Sequence, residues 1–311
     1  MKPLRNLPEV PLDKPSAVSI GVFDGVHLGH RHLLGELMAS AKESGYLSGV
    51  VTFDRHPLEV LAPHKEMRYL TTLEDKLHLL GETGLDFVVA LPFTRQLAQT
   101  TARDFVHSLV DRLRMRELWT GPDFALGSGR EGNRSYLTDL GEELGFSLHR
   151  LDPVEHRGSV ISSSRIRALM MEGSVREAAS LLGRFPYLRG KVISGARRGQ
   201  SLGFPTANLE LDQGLILPAS GVYAVRAHWD TANHAGVANV GRRPTFEQDA
   251  ESTIEAHILD FSGDLYGKEL RVEFVERLRP EMRFDSGEAL MAQMRLDADR
   301  ARSVIEELGR G

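Results

Sequence analysis

The chain of 311 residues sets 38 Lys and Arg against 43 Asp and Glu, a formal net charge of -5, which argues against a protein that chiefly grips nucleic acid or an anionic membrane surface. Hydrophobic residues make up 41% of it and charged residues 26%, the balance of an ordinary globular protein, and its length suits two domains. The absence of cysteine excludes disulfides, thiol catalysis and cysteine-ligated metal centres. The first stretch, MKPLRNLPEVPLDKPSAVSIGVF, breaks its apolar residues with proline and charge, so neither a secretory core nor a membrane span is expected there and the cytoplasm is the expected location.

Short β-branched runs first alternate with helical patterns, the rhythm of a parallel sheet with crossover helices. The expected strands are AVSIGVF (17–23), GVVTF (49–53), FVVALPF (87–93), ELWTG (117–121) and SLHRL (147–151). Between them LLGELMASAKESG (33–45), LEDKLHLLGETG (73–84) and ARDFVHSLVDRLR (102–114) repeat apolar residues at three and four and stop at glycine or a basic turn. The first strand ends at Phe23 and passes through Gly25 into a helix near Leu28, with His27 and His30 at the turn. Glycine lets the backbone approach an anion, a helix start offers unpaired N–H groups, and imidazoles add donors. Polar loop histidines, or a pair of metal ligands, are the alternatives. A second element, ISSSRIR (161–167), closes the same half.

Two helical stretches, SSRIRALMMEG (163–173) and VREAASLLG (175–183), carry the chain to Gly183, where the rhythm changes. Domains are therefore expected at 1–183 and 184–311. YLRGKVIS (187–194), GVYAVRAHW (221–229), AGVANVG (235–241), STIEAHILDF (252–261) and LRVEFVERL (270–278) read as strands of a small antiparallel barrel or sandwich, followed by a helix over 286–308. In RGKVISGARRGQSLGFPTANLEL (189–211), Gly195, Gly199 and Gly203 punctuate a loop made basic by Lys191, Arg197 and Arg198. Such a loop can wrap phosphates, and the Thr206 hydroxyl and Asn208 amide oxygen are hard ligands suited to Mg2+. A solvated turn is the plainer alternative. Period-two alternation puts Glu255 and His257 on one face of their strand, opposite Ile254 and Ala256; a solvated strand glutamate is the competing reading.

GVFDGVHLGH (21–30) followed by ISSSRIR resembles the HxGH and ISSTxIR signatures of the nucleotidyltransferase superfamily, in its bacterial bifunctional riboflavin kinase/FMN adenylyltransferase branch. The resemblance implies that Asp24, Gly25, His27 and His30 meet ATP, and that Ser163, Ser164 and Arg167 close over its β and γ phosphates, Ser164 standing where threonine is usual. TFDRHPLEVL (52–61) and GPDFALGSGREGN (121–133) are similar to the same domain. Leu126 there replaces a phenylalanine and Thr94 an asparagine, departures expected to touch flavin or ATP packing. GKVISGARRGQSLGFPTANL, GVYAV, GVANVGRRPTF, IEAHILDFSGDLYG and LRPEMRF follow in order and resemble the riboflavin kinase domain. That implies Mg2+–ATP held by Thr206 and Asn208 beside Lys191, Gly195 and Gly203, with Glu255 activating the riboflavin hydroxyl. Gln200 stands where an arginine is common.

The fold so implied is a Rossmann-like α/β nucleotidyltransferase domain followed by a six-stranded antiparallel β-barrel with a C-terminal helix, in agreement with the pattern reading. The implied chemistry differs between halves. A phosphate nucleophile is largely dianionic at neutral pH, its second pKa being about 6, and needs no base; a primary alcohol does. ATP, riboflavin, FMN and FAD are expected as substrates and products, Mg2+ as cofactor, and neither nucleic acid nor membrane as partner, with the oligomeric state unspecified. The competing readings are a chain that keeps one activity, with adenylylation the one lost at Thr94 and Leu126, a flavin-responsive regulator without turnover, and an RNA-binding module.

Overall fold

The computed structural model describes residues 3–193, 206–242 and 252–309. Gly195, Arg197, Arg198, Gly199, Gln200 and Gly203 lie outside them. The chain divides into two compact units, Met1–Ser163 and Ser164–Gly311.

The first unit runs β1 (Ser16–Ile20), α1 (Leu28–Ser44), β2 (Leu47–Phe53), α2 (Pro57–Leu61), α3 (Leu73–Gly81), β3 (Phe87–Leu91), α4 (Arg95–Gln99), α5 (Ala102–Leu113), β4 (Met115–Thr120), α6 (Arg134–Leu144) and β5 (Ser147–Arg150), with a short hairpin of β6 (Glu155–His156) and β7 (Ser159–Val160). The sheet order is β3-β2-β1-β4-β5 and every pairing is parallel. Every residue of β1 is buried, as a strand covered on both faces by crossover helices must be. One face packs Val18, Ile20 and Val51 against Phe105, Leu109 and Leu137; the other packs Ala17, Val50 and Val88 against Leu34, Leu37 and Leu80. Strand order reverses direction at β1, between β2 and β4, which makes the carboxyl end of β1 the topological switch point where open α/β sheets bind ligands.

The first expected strand runs three residues past the observed end of β1. Its apolar run continues to Phe23, but the ladder stops at Ile20, because the Val22 carbonyl accepts from Thr52 Oγ1 and Lys76 Nζ instead. Helix α6 was not among the expected helices. Its Leu137 and Leu140 are buried, Asn133 caps its start and Gly145 ends it at φ 76°.

The second unit holds α7 (Ser163–Glu172, which begins on the last residue of the first unit), α8 (Val175–Leu182), β8 (Tyr187–Ile193), β9 (Ala207–Leu211), β10 (Gly221–Trp229), β11 (Ala232–Arg242), β12 (Ser252–Ile258), β13 (Glu269–Arg279) and α9 (Gly287–Gly309). Six strands close a barrel in the order β10-β11-β12-β9-β8-β13, which leaves no open edge among them. Val222, Ala224, Val275 and Leu278 pack with Ala298, Ala301 and Val304 of α9. The division between units falls after the first residue of α7, whereas the change of rhythm lies at Gly183. Val175, Ala178, Leu181 and Leu182 of α8 are buried, and at Gly173 (φ 79°) a Cβ would come within 2.9 Å of Arg277 Cδ and Tyr223 Oη. That close approach to barrel residues is open only to glycine.

Candidate functional site

Two constellations gather the polar groups expected at a site, one in each unit. In the first, the chain leaves β1 at the switch point and turns sharply into α1. Phe23 (φ 53°), Gly25 (φ 79°) and Val26 (φ 39°) all have left-handed backbones; for the two non-glycines this costs on the order of 1–3 kcal/mol each, and such strain concentrates at binding sites. His27 is 6% exposed and caps α1, its Nδ1 accepting from His30 N at 3.3 Å. A neutral His27 with Nδ1 so engaged carries its proton on Nε2. The His30 ring stacks on His27 at 3.6 Å between centroids, and its Nδ1 is buried without a hydrogen-bond partner. Burial first, then His27 and Lys76, hold the His30 pKa well below the usual histidine value, so it is neutral at pH 7. Gly29 gives the stack room: a Cβ there would stand 3.2 Å from the His27 ring, a tight contact.

The loop is held from outside. Leu70 N donates to Asp24 Oδ1 at 3.0 Å, Gly25 N donates to Thr71 Oγ1 at 3.3 Å, and the Ser163 hydroxyl donates to the Asp24 carbonyl at 2.9 Å. The structure thus brings Asp24, Gly25, His27, His30 and Ser163 together. Ser164 and Arg167 belong to the second unit, where Arg167 Nη2 donates to Ser164 Oγ at 3.2 Å.

A groove of about 360 Å³ opens near the ends of β2 and β3, lined by Asp54, Arg55, Glu59, Phe93, Thr94 and Arg95 among others. Thr94 caps α4 by accepting from Leu97 N at 3.1 Å, a role asparagine fills equally. Leu126 is 9% exposed in the core beside Ala102 and Phe105. One departure therefore keeps a helix cap and the other fills apolar space.

In the second unit, register places Asn208 beside Glu255 and Glu255 beside Asn239, a row of three polar side chains across β9, β12 and β11. Directly paired residues share a face. Ile254 and Ala256 are buried while Glu255 and His257 are half-buried, as alternation predicts. Thr206, Glu255, His257 and Asn239 line a cleft of about 380 Å³ whose other walls are Glu281, Met282, Phe284 and the α9 residues Leu290, Met294 and Asp297. Lys191 is exposed, paired across its strands with Glu210 and Glu269, and does not line this cleft.

Asn239, Glu281 and the α9 wall were not anticipated as site residues. Asn239 sits in the GVANVG run (236–241) and was reachable by pairing it with the Glu255 strand; Asp297 lies on a helix far away in sequence and was not. Asp297, 5% exposed, accepts three bonds from Arg279 at 2.8–3.1 Å and one from Gln293 at 2.9 Å. Replacing it with alanine strands a guanidinium that is only 14% exposed, so Asp297→Ala is expected to destabilise this unit by about 3–5 kcal/mol, read as a lower denaturation midpoint.

A family model described as FAD synthetase matches residues 10–165 and one described as riboflavin kinase matches residues 182–305. Three proteins described as bifunctional riboflavin kinase/FMN adenylyltransferase align along nearly the whole chain. That of Listeria monocytogenes is 35% identical over 300 residues, covering 95% of this chain and 94% of its own. That of Escherichia coli K12 is 37% identical over 304 residues, covering 97% and 96%. That of Bacillus subtilis is 33% identical over 290 residues, covering 92% and 91%. A crystal structure described as a macrolide-efflux protein from Streptococcus pneumoniae shares 30% identity at a TM-score of 0.89, covering 97% of this chain and 98% of that one. Among the described residues no helix is long and apolar enough to cross a membrane.

Proposed function

This chain belongs to the bifunctional riboflavin kinase/FMN adenylyltransferase family, and from that premise we propose which residues carry each of its two reactions. It phosphorylates riboflavin to FMN and adenylylates FMN to FAD, using ATP in both steps. We assign adenylyl transfer to 1–183 and phosphorylation to 184–311.

In adenylyl transfer an FMN phosphate oxygen attacks the α-phosphorus of ATP, and the bond to the β-phosphate breaks to release pyrophosphate. The nucleophile arrives ionised, so the site's work is to position it and to stabilise charge on the phosphates. His27 and His30 supply N–H donors at the start of α1, whose unpaired backbone N–H groups and dipole favour an anion. Gly25 lets the phosphates approach the backbone. Ser163, tied to the Asp24 carbonyl, links the second signature, whose Ser164 and Arg167 carry further donors, to the first. The groove at Phe93, Thr94, Arg55 and Arg95 suits the flavin, with apolar surface for the ring and guanidinium groups for the phosphate.

In phosphorylation the riboflavin hydroxyl loses its proton to Glu255 as its oxygen attacks the γ-phosphorus, and ADP leaves. The observation that carries this assignment is the row Asn208–Glu255–Asn239 set beside a cleft that Glu255 shares with Thr206. Among the described residues no group of three or more His, Asp or Glu could hold a metal ion. The Thr206 hydroxyl and the Asn208 amide, the latter 7% exposed, instead fit Mg2+, which takes a few protein oxygens and keeps water and phosphate as its other ligands. When bound, the ion would neutralise phosphate charge. Met282, Phe284, Leu290 and Met294 give the cleft an apolar wall for the flavin ring. We assign Gly195 and Gly203 to the proposed phosphate loop; Lys191, exposed on β8 and outside the cleft, is left out of it.

Incubating the purified chain with riboflavin, ATP and Mg2+ and separating the flavins over time tests the reading. FMN should appear first and FAD after it. FMN accumulating alone would place the loss in the first unit, and no conversion of riboflavin or of supplied FMN would favour a flavin-responsive regulator.

A further inference from the structure

We propose that Lys76 is a positioning residue for adenylyl transfer, its ammonium fastening the ends of β1 and β2 and so fixing the loop that presents His27 and His30. The inference rests on placing that reaction at this loop.

Lys76 is 6% exposed. Its Nζ donates to the carbonyl oxygens of Val22 at 3.1 Å and Phe53 at 2.7 Å, the first in the turn after β1 and the second the last residue of β2. The same stretch of chain supplies two more ties, Leu70 N to Asp24 and Thr71 Oγ1 to Gly25 N. The segment 70–76 therefore holds Val22, Asp24 and Gly25, and these alternate with or adjoin the strained Phe23 and Val26. Left-handed non-glycine residues persist only when their surroundings over-determine them, and this segment supplies three of the ties that do so, beside those from Thr52 to the Val22 carbonyl and from Ser163 to the Asp24 carbonyl. A misplacement of even about 1 Å at the reacting groups can cost about a hundredfold in rate.

An ammonium buried here is expensive unless its charge is used. Asp24 and Asp54 face it and favour the charged form, and Arg55 lies 3.6 Å from Asp54. Lys76 and His27 both oppose protonation of His30. Burial outweighs the two carboxylates and lowers the Lys76 pKa to about 8, so the clamp is charged below that pH and neutral above it. Neutralisation weakens the pull on both carbonyls.

The test begins with the unmodified chain. FAD formation from supplied FMN is expected to fall through a single group near pH 8, while riboflavin phosphorylation by the same chain shows no fall centred there. Lys76→Gln keeps a donor and removes the charge: its adenylylation kcat is expected to drop at least about tenfold and to lose the alkaline limb, with phosphorylation held within about twofold. An unmodified chain with no such limb, or a Lys76→Gln chain that keeps it, overturns the proposal. Should Lys76→Gln unfold below the assay temperature, Lys76→Arg takes its place: an arginine stays charged throughout the range, so an alkaline limb that persists near pH 8 in Lys76→Arg overturns the proposal and its loss supports it. His30→Ala separates the two levels of inference. Undiminished adenylylation in His30→Ala overturns the site assignment itself, whereas an inactive His30→Ala beside a fully active Lys76→Gln overturns only the role of Lys76.

Discussion

Glu255→Gln is expected to stop FMN formation from riboflavin while FAD still forms from supplied FMN. The riboflavin hydroxyl is un-ionised at neutral pH, and a positioned general base contributes about 10²–10⁴-fold to such a step, roughly 3–5 kcal/mol of barrier. Glutamine keeps the volume and one carbonyl acceptor but cannot take the proton. The loss should therefore fall on kcat, with KM for riboflavin little changed, the signature of an interaction made in the transition state alone. Geometry supports the selectivity of the substitution. Glu255 faces the cleft from the middle of β12, between Asn208 and Asn239, and its neighbours Ile254 and Ala256, at 0% and 1% exposure, carry the packing of the barrel. Steady-state rates of each step, followed separately by chromatography, check it. A variant that keeps phosphorylation within about tenfold of the original would remove Glu255 from the role of base; one that loses both steps would show that the division of labour between the halves is wrong.

The sequence made the architecture readable because each half repeats a single period. Strands alternating with three-and-four patterns gave the parallel sheet, and the period of two gave the barrel face on which Glu255 and His257 sit. The turn at His27 and His30 was readable for a related reason: strand, glycine and helix start are consecutive, so the turn proposed to meet the anion is itself local. What escaped comes from elsewhere in the chain. Lys76 lies on α3 and reaches carbonyls of Val22 and Phe53, contacts that no local pattern announces. Asp297 enters the cleft wall only because α9 folds back on the barrel. Thr94 and Leu126 are departures expected to touch flavin or ATP packing; in the structure Thr94 caps a helix on the wall of the first groove and Leu126 packs in a core. The ladder of β1 ended early because side chains took the next carbonyl, an event composed of residues 30 and 54 positions away.

His30→Ala is expected to give the complementary result, FAD formation reduced by about 10²–10³-fold, the usual cost of deleting one preorganised donor to developing charge, with riboflavin phosphorylation unchanged. The ring does two things at once. It offers a donor beside the start of α1, and it stacks on His27 at 3.6 Å, so its removal also frees the neighbouring imidazole to move. His30→Gln, which retains an N–H donor without the aromatic face, should recover part of the rate if donation dominates and none if stacking does. The pH profile distinguishes the histidine from the nucleophile. Because burial holds the His30 pKa well below the ordinary value of 6.5, the ring stays neutral as pH falls through that value, and its titration lies further toward acid. The FMN phosphate, with a second pKa of about 6, becomes a poorer nucleophile first. The acid limb of adenylylation in the unmodified chain should therefore lie near pH 6 and move when FMN is replaced by an analogue of different phosphate acidity. A limb that stays at one pH for every such analogue would assign it to the enzyme, and would mean that the burial of His30 does not keep it neutral where the reaction runs.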